Sequence, residues 1–510
     1  MASARRLFGF SRWHHAALCF VLLATLVAAC SLIFDRGPDQ CSHDTDCATF
    51  GEHLTCQAGV CSQLGPSGCY AGTPQSSDQF AIQCSKAQCE PFDNCQRLGI
   101  CHASDPLPNL VTPPDAAPAP VVDASLIDAA PPPTPTNCQD PSRNTVVVGG
   151  STAVQPFLSV VAPLLAQNTP PYQIVYQPSG SCTGVDGLFS TDPTKHVVKD
   201  IPGKQALLFH TDGSSEPCTF NPTTTLDVAA SDVFASSCTP SYAVSDTLAE
   251  YLGPIQPMTF VVLSASTEKA ISSEMGHVVF GRGNTDPTSM PYNEPTLYFV
   301  RNSGSGTQQM ISRAISVDAK QWWGIDRGGS SAVRDLLEAV NPSRANAAIG
   351  ILSTDFTDPE RQRLRILAFQ GKGQLCGYYP DSSVNTRDKI NVRDGHYQIW
   401  GPVHFFAQVS QGIPSPAAAA LVTRFTTTRL EQALLDKIIT SGLVPACAMK
   451  VKRTTEMGPI SADVPEASCG CYFEAKVPGG QPPPECKTCA GPADCSMDRP
   501  ACNNGYCEPR

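Results

Sequence analysis

Residues 299–310, FVRNSGSGTQQM, bring together the residue types of an anion-binding loop. Arg301 ends a strand-like run, glycine and hydroxyl residues follow, and a helix is predicted to open at Gln308. A guanidinium offers a fixed fork of donors, and a glycine-rich turn before a helix exposes backbone N–H groups. Such runs are also common in plain turns, and Arg301 could equally serve a surface salt bridge. The anion hypothesis therefore needs support from other loops.

Three more loops with glycine and hydroxyl residues follow strand-like runs in the same way. Ser151 and Thr152 follow TVVVGG, Gly180 and Ser181 follow YQIVYQ, and Asp232 follows TLDVAAS. In open α/β sheets, ligands bind beyond the carboxyl ends of the strands, where helix N-termini offer free N–H donors and partial positive charge. Ser, Thr and Asp at such places are also ordinary helix caps. The convergence of four loops predicts a site for a tetrahedral oxyanion.

Asp232 narrows the choice of anion. A carboxylate repels a fully ionised ligand, but it can accept a hydrogen bond from a ligand that still carries a proton. Monohydrogen phosphate has such a hydroxyl, whereas sulfate has none near neutral pH, so a buried acceptor favours phosphate and penalises sulfate. The sequence therefore predicts inorganic phosphate or a related oxyanion as the ligand.

The strands and helices that position these loops lie in residues 138–450. This segment is long enough to form a two-lobed body. Short β-rich runs, such as those at 145–150 and 296–300, alternate with helical runs, including a single helix predicted over 417–439. This alternation indicates an α/β fold with largely parallel strands.

In chain order, VVGGSTAVQPF, VYQPSGSCTGVDGL, LDVAASD and FVRNSGSGTQQ resemble the periplasmic phosphate-binding proteins of phosphate ABC transporters, and AAIGILSTDF resembles a later strand of that family. The resemblance covers roughly residues 144–410. It implies a type II periplasmic-binding-protein fold, with two lobes joined by a hinge, and an ABC permease as a partner. It also implies a set of ligand-binding residues: Ser151, Thr152, Ala153, Gly180, Ser181, Asp232, Arg301, Ser305, Gly306 and Thr307.

The resemblance further implies how the loops divide. The first three would lie on one lobe and the arginine loop on the other, so that the ligand holds the lobes closed and Asp232 accepts the phosphate proton. This chain departs from the family pattern at Cys182, and its segment 188–225 is longer and carries Cys218. A disulfide among Cys182, Cys218 and Cys238 would stiffen or reshape the mouth of the site.

The N-terminus is predicted to be an export signal. A basic start precedes the apolar run 16–29, which is short for a membrane span, and LVAAC resembles the lipobox of bacterial lipoproteins, with cleavage before Cys30 and a lipid on its sulfur. An ordinary signal peptide with an accidental cysteine is the alternative. We therefore expect residues 1–29 to be a lipoprotein signal peptide, and the mature chain to be anchored by lipid in the cell envelope, on the periplasmic or surface side of a bacterial membrane.

Two cysteine-rich modules, at 30–105 and 451–510, are predicted to flank the body, and a Pro/Ala-rich linker at 106–137 would lift the body from the membrane. CSHDTDCATFGEHLTCQAGVC and CAGPADCSMDRPACNNGYC are two copies of one repeat. Of the 24 cysteines, an even 22 remain without Cys19 and Cys30, which favours disulfides in an exported chain. The partner of these modules is unknown.

Zinc is the alternative to disulfides in the C-terminal module, because Cys486 and Cys489 form a CxxC. The histidine spacing of a zinc site is missing, so disulfides are favoured. GSCTG, residues 180–184, has the spacing of a nucleophile elbow with Cys182 at its centre, but a catalytic cysteine must stay reduced beside a base. We therefore expect no enzyme, no metal and no cofactor.

Charge excludes another class of function. The formal net charge is -11 and only 16% of the residues are charged, which leaves no basic surface for nucleic acid. Two functions remain for the predicted binding fold: a receptor for phosphate uptake or sensing, and a surface-displayed interaction or adhesion scaffold that uses the same fold without transport.

Overall fold

In the computed structural model, the described residues are 55–57, 60–62, 68–113, 136–140, 142–201 and 204–510. They fall into two compact units, divided between Thr73 and Pro74. The predicted signal peptide, the lipidation site Cys30 and most of the predicted linker lie outside the described residues. Within the described ranges, no helix is long and apolar enough to cross a membrane.

Strands and helices are numbered here in chain order. The strands are β1 (Thr55–Gln57), β2 (Val60–Ser62), β3 (Cys89–Glu90), β4 (Thr136–Asn137), β5 (Thr145–Gly150), β6 (Gln173–Gln177), β7 (Ala206–Phe209), β8 (Ser215–Thr219), β9 (Val228–Ser231), β10 (Leu248–Leu263), β11 (Ala270–Ser272), β12 (Tyr298–Val300), β13 (Ile325–Asp326), β14 (Ile349–Ser353), β15 (Leu364–Ile366), β16 (Ala368–Gln370), β17 (Gly377–Tyr378), β18 (Trp400–Ser410), β19 (Ile413–Pro414), β20 (Val451–Lys452), β21 (Ser461–Ala462), β22 (Ala501–Asn503) and β23 (Tyr506–Glu508). The helices are α1 (Ser77–Ala81), α2 (Asn94–Leu98), α3 (Gln155–Leu165), α4 (Ser181–Phe189), α5 (Ala235–Cys238), α6 (Ser273–Arg282), α7 (Gly306–Ile315), α8 (Ser330–Glu338), α9 (Thr354–Thr357), α10 (Ile390–Asp394), α11 (Pro416–Val422), α12 (Gln432–Thr440) and α13 (Gly470–Lys476).

Two large hydrophobic cores divide the body into two lobes. One core includes Phe157 and lies among β5, β6, β9 and the helices α3, α11 and α12. The other includes Ile351 and lies around β12, β14, β16 and the helices α6 and α7. We call the first the hydroxyl lobe (136–247 and 411–443) and the second the arginine lobe (264–399). Each lobe therefore has a core of its own, and Ala153, Leu435 and Ile439 of the hydroxyl lobe also belong to the core of the arginine lobe.

Strands β10 and β18 cross from one lobe to the other as neighbours in one sheet. They pair antiparallel from Leu248 opposite Gln408 to Pro257 opposite Trp400. On the hydroxyl side β18 pairs with β9, and on the arginine side β10 pairs with β14 and β15. The sheet order is β13-β12-β14-β10-β18-β9-β5-β6-β7-β8-β4. The predicted α/β architecture of two lobes joined by a hinge, with disulfide-rich flanks, is confirmed.

The sheet is mixed, and the expectation of largely parallel strands is wrong. Strands β5, β6 and β9 run parallel, as do β12, β13 and β14. The crossing pair is antiparallel, and the long segment 188–225 adds the antiparallel strands β7 and β8 next to β6. A disulfide between Cys138 and Cys218 ties this edge together. The extra length seen in the sequence therefore extends the edge of the sheet.

The single helix predicted over 417–439 is also wrong, because the chain forms α11 and α12 with a break between them. Threonines occupy the break, and their hydroxyls bond to nearby backbone. Thr426 Oγ1 donates to Thr423 O at 2.8 Å, and Thr427 Oγ1 donates to Arg429 O at 2.9 Å. Such local bonds compete with the helical ladder.

Within the unit that begins at Pro74, the described parts of the flanking segments pack against the body. Strand β3 pairs with β17 of the arginine lobe, and a disulfide joins Cys89 to Cys376 beside it. Farther along, the N–H of Val111, within the predicted linker, donates to Gly281 O at 2.9 Å. The C-terminal segment adds Phe473 to the core of the arginine lobe. The predicted domain limits themselves stay predictions.

The two copies of the predicted repeat share a two-stranded hairpin. Cys56 lies opposite Cys61 across β1 and β2, and Cys502 lies opposite Cys507 across β22 and β23. The third and fourth cysteines of each copy therefore occupy equivalent positions, and the same spacing gives the same local fold.

Disulfides connect the C-terminal copy. Cys489 pairs with Cys502, and Cys495 pairs with Cys507. The sulfur atoms of Cys489, Cys495 and Cys507 lie within 4.8 Å of one another, as metal ligands would. Each of them is used in a disulfide, so none is a thiolate that could bind zinc. The disulfide interpretation accounts for this cluster.

Candidate oxyanion site

The first loop follows β5 and depends on a glycine. Gly150 has a φ of +135°, and a Cβ there would lie 2.0 Å from Ala230 O, so only glycine lets β5 and β9 end this close together. Ser151 Oγ accepts from the N–H of Ala153 at 3.0 Å and caps the following turn. Ser151, Thr152 and Ala153 are all buried. The loop therefore turns its hydroxyl groups into the protein.

The second loop follows β6 and begins α4 at the buried residue Ser181. The N–H of Gly180 donates to Gly150 O at 2.7 Å, which holds this loop beside the first. Ser181 Oγ accepts from the N–H of Asp232 at 3.3 Å and from the N–H of Gly306 at 3.2 Å. Gly306 belongs to the arginine lobe, so this hydroxyl joins the two lobes.

Asp232, at the end of β9, is 2% exposed. Burial raises the pKa of its carboxyl, and the Ser151 hydroxyl, the Arg301 guanidinium and the Ser181 hydroxyl oppose the rise. Oδ2 accepts from Ser181 Oγ at 3.3 Å, whereas Oδ1 is buried without a hydrogen-bond partner among the described residues. A buried acceptor without a donor is costly, so Oδ1 has capacity for a donor on a ligand.

Arg301 follows β12 and is 3% exposed. Its backbone N–H donates to Gln308 Oε1 at 2.9 Å, its Nε donates to Gly328 O at 3.2 Å, and one terminal nitrogen donates to Ser330 Oγ at 3.0 Å. Within the described chain, the side chain thus donates only to neutral oxygen atoms. Burial lowers the pKa of the guanidinium, and the charge of Asp232 opposes this. A buried cation held by neutral partners is suited to an anion.

The first turn of helix α7 lies at the same lobe boundary. Ser305 is its N-cap residue, and Gly306 and Thr307 are its first two residues. All three are buried, and Thr307 Oγ1 has no hydrogen-bond partner in the described part of the chain. The N-terminus of a helix carries partial positive charge and free N–H donors. The helix start and the guanidinium together make this boundary electropositive.

Ser330, the first residue of α8, is a site residue that the sequence analysis missed. Its N–H donates to Thr152 Oγ1 at 3.1 Å, and the two hydroxyl oxygens lie 3.0 Å apart. It also accepts from Arg301, so it links the arginine to the first loop. A signal was present, because GGSS at 328–331 follows β13 and opens a helix, as the other loops do.

The ten predicted ligand residues divide between the lobes as the resemblance implies, with the first three loops on the hydroxyl lobe and the arginine loop opposite. At the predicted site, hydrogen bonds cross the boundary directly: the N–H of Ser330 donates to Thr152 Oγ1, the N–H of Gly306 donates to Ser181 Oγ, and the N–H of Cys182 donates to Gly304 O at 3.0 Å. These contacts show that the lobes are closed. The role of the ten residues in ligand binding stays a prediction.

A second buried carboxyl, that of Asp355, supports the first loop. Gln256 Nε2 donates to Asp355 Oδ1 at 3.2 Å and also to Ala153 O at 3.0 Å, while Ser353 Oγ donates to the same Oδ1 at 2.5 Å. Burial raises the pKa of Asp355 to about 7, and the charge of Asp232 adds to the rise. Asp355 therefore titrates near neutral pH, next to the loop that it supports.

The cysteines near the mouth of the site are all paired in disulfides. Cys182 pairs with Cys238, and Cys218 pairs with Cys138. The predicted disulfide among Cys182, Cys218 and Cys238 is confirmed. A sulfur in a disulfide cannot act as a thiolate, so the nucleophile-elbow alternative has no nucleophile at Cys182.

Comparisons with known proteins give weak likenesses. No family model and no curated protein matches the chain. A solved structure from Clostridium perfringens, described as a phosphate ABC transporter substrate-binding protein with bound phosphate, is similar at 13% identity over 59% of this chain and 100% of that one, with a TM-score of 0.40. A phosphate transport receptor from Vibrio cholerae is similar at 14% identity over 59% and 99%, with a TM-score of 0.35. The reduced OxyR regulatory domain from Pseudomonas aeruginosa is similar at 10% identity over 58% and 96%, with a TM-score of 0.31. The ligand must therefore be inferred from the residues themselves.

Proposed function

We propose that this chain is a receptor that closes its two lobes around phosphate or a similar protonated tetrahedral oxyanion. One observation carries the proposal. At the closed boundary, the described residues place a buried arginine that donates only to neutral oxygens near a buried carboxylate oxygen that has no donor. An anion that bears a hydroxyl satisfies both groups, because its oxygens accept from Arg301 and its proton is donated to Asp232.

Asp232 provides discrimination in this proposal. Monohydrogen phosphate donates to Oδ1, whereas sulfate has no proton and meets the carboxylate with repulsion and an unpaired acceptor. A site built around a ligand hydrogen bond can reject the analogue that lacks the donor by orders of magnitude. Ser151, Thr152 and the start of α7 supply neutral donors that suit either anion, so the carboxylate is what separates them.

Export and lipid anchoring complete the proposal. Eight disulfide pairs among the described residues suit an oxidising compartment. In this proposal a lipid on Cys30 holds the mature chain at a bacterial membrane, on the periplasmic or surface side. Bound phosphate then passes to an ABC permease, or its presence is reported to a partner protein.

Calorimetric titration of the oxidatively folded chain tests the ligand. Bound anions are first removed by unfolding and refolding, and phosphate and sulfate are then titrated separately. We expect heat with phosphate alone, loss of this heat in Arg301→Ala, and weaker phosphate binding with less rejection of sulfate in Asp232→Asn. Arg334→Ala and Asp335→Asn, on an exposed pair of the arginine lobe, are the controls. A folded protein that gives no heat with either anion contradicts the proposal.

A second function, the surface scaffold, is favoured by contacts that restrain the hinge. In the C-terminal segment, Glu456 Oε2 accepts from the N–H of Phe234 of the hydroxyl lobe at 3.2 Å. Glu474 Oε1 accepts from Arg393 of the arginine lobe at 2.8 Å, and Tyr472 contacts α12. One segment thus holds both lobes. Small-angle scattering separates the two functions, because a receptor becomes more compact when phosphate is added and a rigid scaffold does not.

A further inference from the structure

A second cavity, distinct from the oxyanion site, lies between the N-terminal segment and the arginine lobe. Its volume is about 360 Å³, and Glu90 of β3 and Tyr379 are among the residues that line it. Strand β3 pairs with β17, and the disulfide between Cys89 and Cys376 fastens this side of the cavity to the lobe. None of the ten predicted oxyanion residues lines it. The cavity is therefore a separate feature with a covalently fixed wall.

The cavity concentrates positive charge. Lys269, Arg361, Arg365 and Arg387 line it, and Glu90 is the one carboxylate among its lining residues. Arg361 is neutralised, because it and Lys389 share the carboxylates of Asp358 and Asp381. The remaining three cations and Glu90 leave a net charge of about +2, in a chain whose formal net charge is -11.

The three remaining cations have no carboxylate partner among the described residues. Arg365 donates to backbone carbonyls alone, to Ser264 O at 2.9 Å and to Ser266 O at 2.5 Å, which fix its guanidinium without neutralising it. The side chains of Lys269 and Arg387 form no hydrogen bond or ion pair with described residues. Like charges gathered without counter-charges repel each other, and an anion that binds there relieves this repulsion.

The wall that carries Arg387 is also held in place. Arg361 Nη1 donates to Val384 O at 3.1 Å and to Thr386 O at 3.2 Å, which fixes the loop just before Arg387. Gln88 Oε1 accepts from the N–H of Val384 at 3.2 Å, which ties the same loop to the N-terminal segment. The cationic groups are therefore carried on a prepared frame, and a ligand need not order the backbone when it binds.

We propose that this cavity binds a small polyanion that bears phosphoryl groups, a phosphate ester or a short polyphosphate. Arginine forks match the oxygens of phosphoryl groups bidentately, and lysine adds a point charge. The volume falls within the range of small-molecule sites, roughly 300–1,000 Å³, and so leaves room for more than one phosphoryl group. This proposal does not rest on the proposed phosphate receptor, because the two sites share no residue.

Calorimetry with tripolyphosphate tests the cavity, in buffer that already contains inorganic phosphate at saturating concentration. The wild-type chain should bind one tripolyphosphate. Lys269→Gln combined with Arg387→Gln should weaken binding at least tenfold, and Glu90→Gln should strengthen it several-fold, because the opposing charge is removed. Lys320→Gln combined with Lys372→Gln changes the net charge equally at exposed positions of the same lobe and should change the Kd less than twofold.

Three results would overturn the proposal. The first is no binding heat with a folded wild-type chain. The second is an equal loss in the cavity pair and the surface pair, which would mean that net charge alone attracts the probe. The third is loss of tripolyphosphate binding in Arg301→Ala, which would place the probe at the lobe boundary. Conversely, Arg301→Ala that loses phosphate and keeps tripolyphosphate separates the two sites, and tripolyphosphate binding without any phosphate binding supports the cavity alone.

Discussion

Gly306→Ala is the sharpest test of the closed boundary, because it adds one methyl group where the lobes meet. A Cβ at Gly306 would lie 2.6 Å from Ser181 Oγ, 2.7 Å from Asp232 Cβ and 2.8 Å from Asp232 Oδ2. All three atoms belong to the hydroxyl lobe, and all three distances are shorter than van der Waals contact. The methyl group therefore opposes closure.

The size of the effect follows from these distances. Overpacking of a tightly packed site costs about 1–3 kcal/mol, and each 1.4 kcal/mol changes an equilibrium tenfold, so phosphate affinity should fall about 5- to 150-fold. Alanine within a helix is favoured over glycine by about 0.5–1 kcal/mol, so the arginine lobe itself should not be destabilised. Binding and folding should thus respond in opposite directions.

Gly304→Ala is the matched control for this test. It makes the same chemical change two residues earlier, where the nearest atoms to a Cβ are Asn302 Oδ1 at 3.3 Å and Cys182 Cβ at 3.8 Å. Calorimetric phosphate titration and thermal unfolding should be measured for both variants. Equal affinities of Gly306→Ala and wild type, or equal losses in the two variants, would refute the closed boundary as the binding form.

Two further predictions concern buried charges. The pKa of Asp355 is about 7 in the folded chain and about 3.9 when unfolded, so the free energy of unfolding should fall as pH rises from about 4 to about 7, by on the order of 4 kcal/mol in total. Denaturant titrations of wild type and Asp355→Asn at pH 5 and pH 8 test this. The free energy of unfolding of the variant should not show this fall between the two pH values, and an equal fall in both proteins would contradict the assignment. Arg393→Met leaves Glu474 without its buried partner and should lower the free energy of unfolding by about 3 kcal/mol, because Arg393 is 1% exposed. In the same denaturant titration Arg344→Met, which breaks an exposed pair with Glu294, should cost less than about 1 kcal/mol, and equal losses would refute the distinction.

Local patterns were enough to predict the candidate site where a strand, a small residue and a helix start are consecutive in sequence. The run TVVVGG is β5 to the residue, and the loops at Ser151, Ser181, Asp232 and Arg301 all lie at the lobe boundary. Strand periodicity and helix-start chemistry are properties of a few neighbouring residues. These features could therefore be read without knowledge of the tertiary structure.

Contacts between distant residues could not be predicted in this way. Cys89 and Cys376 are 287 residues apart in sequence, and β3 has only two residues. No local pattern therefore predicts that the N-terminal segment joins the arginine lobe. Ser330 was missed because β13 is also only two residues long and gave no strand signal before its loop. The break between α11 and α12 was missed because the prediction of one helix rested on apolar periodicity. It did not take into account the hydrogen bonds that the threonines form with nearby backbone.

The closed boundary bears on the proposed receptor function. Thr152, Ser181 and Cys182 each form a hydrogen bond with the opposite lobe. Each such bond contributes about 0.5–1.5 kcal/mol, and the C-terminal segment adds further contacts with both lobes, so opening should cost several kcal/mol. If phosphate enters through the open form, this cost lowers the fraction of chains that can bind, and it slows release because the same bonds must break. Slow exchange suits a receptor that retains or senses scarce phosphate better than one that must deliver each ion within milliseconds. The dissociation rate, measured by phosphate exchange, therefore separates these two roles.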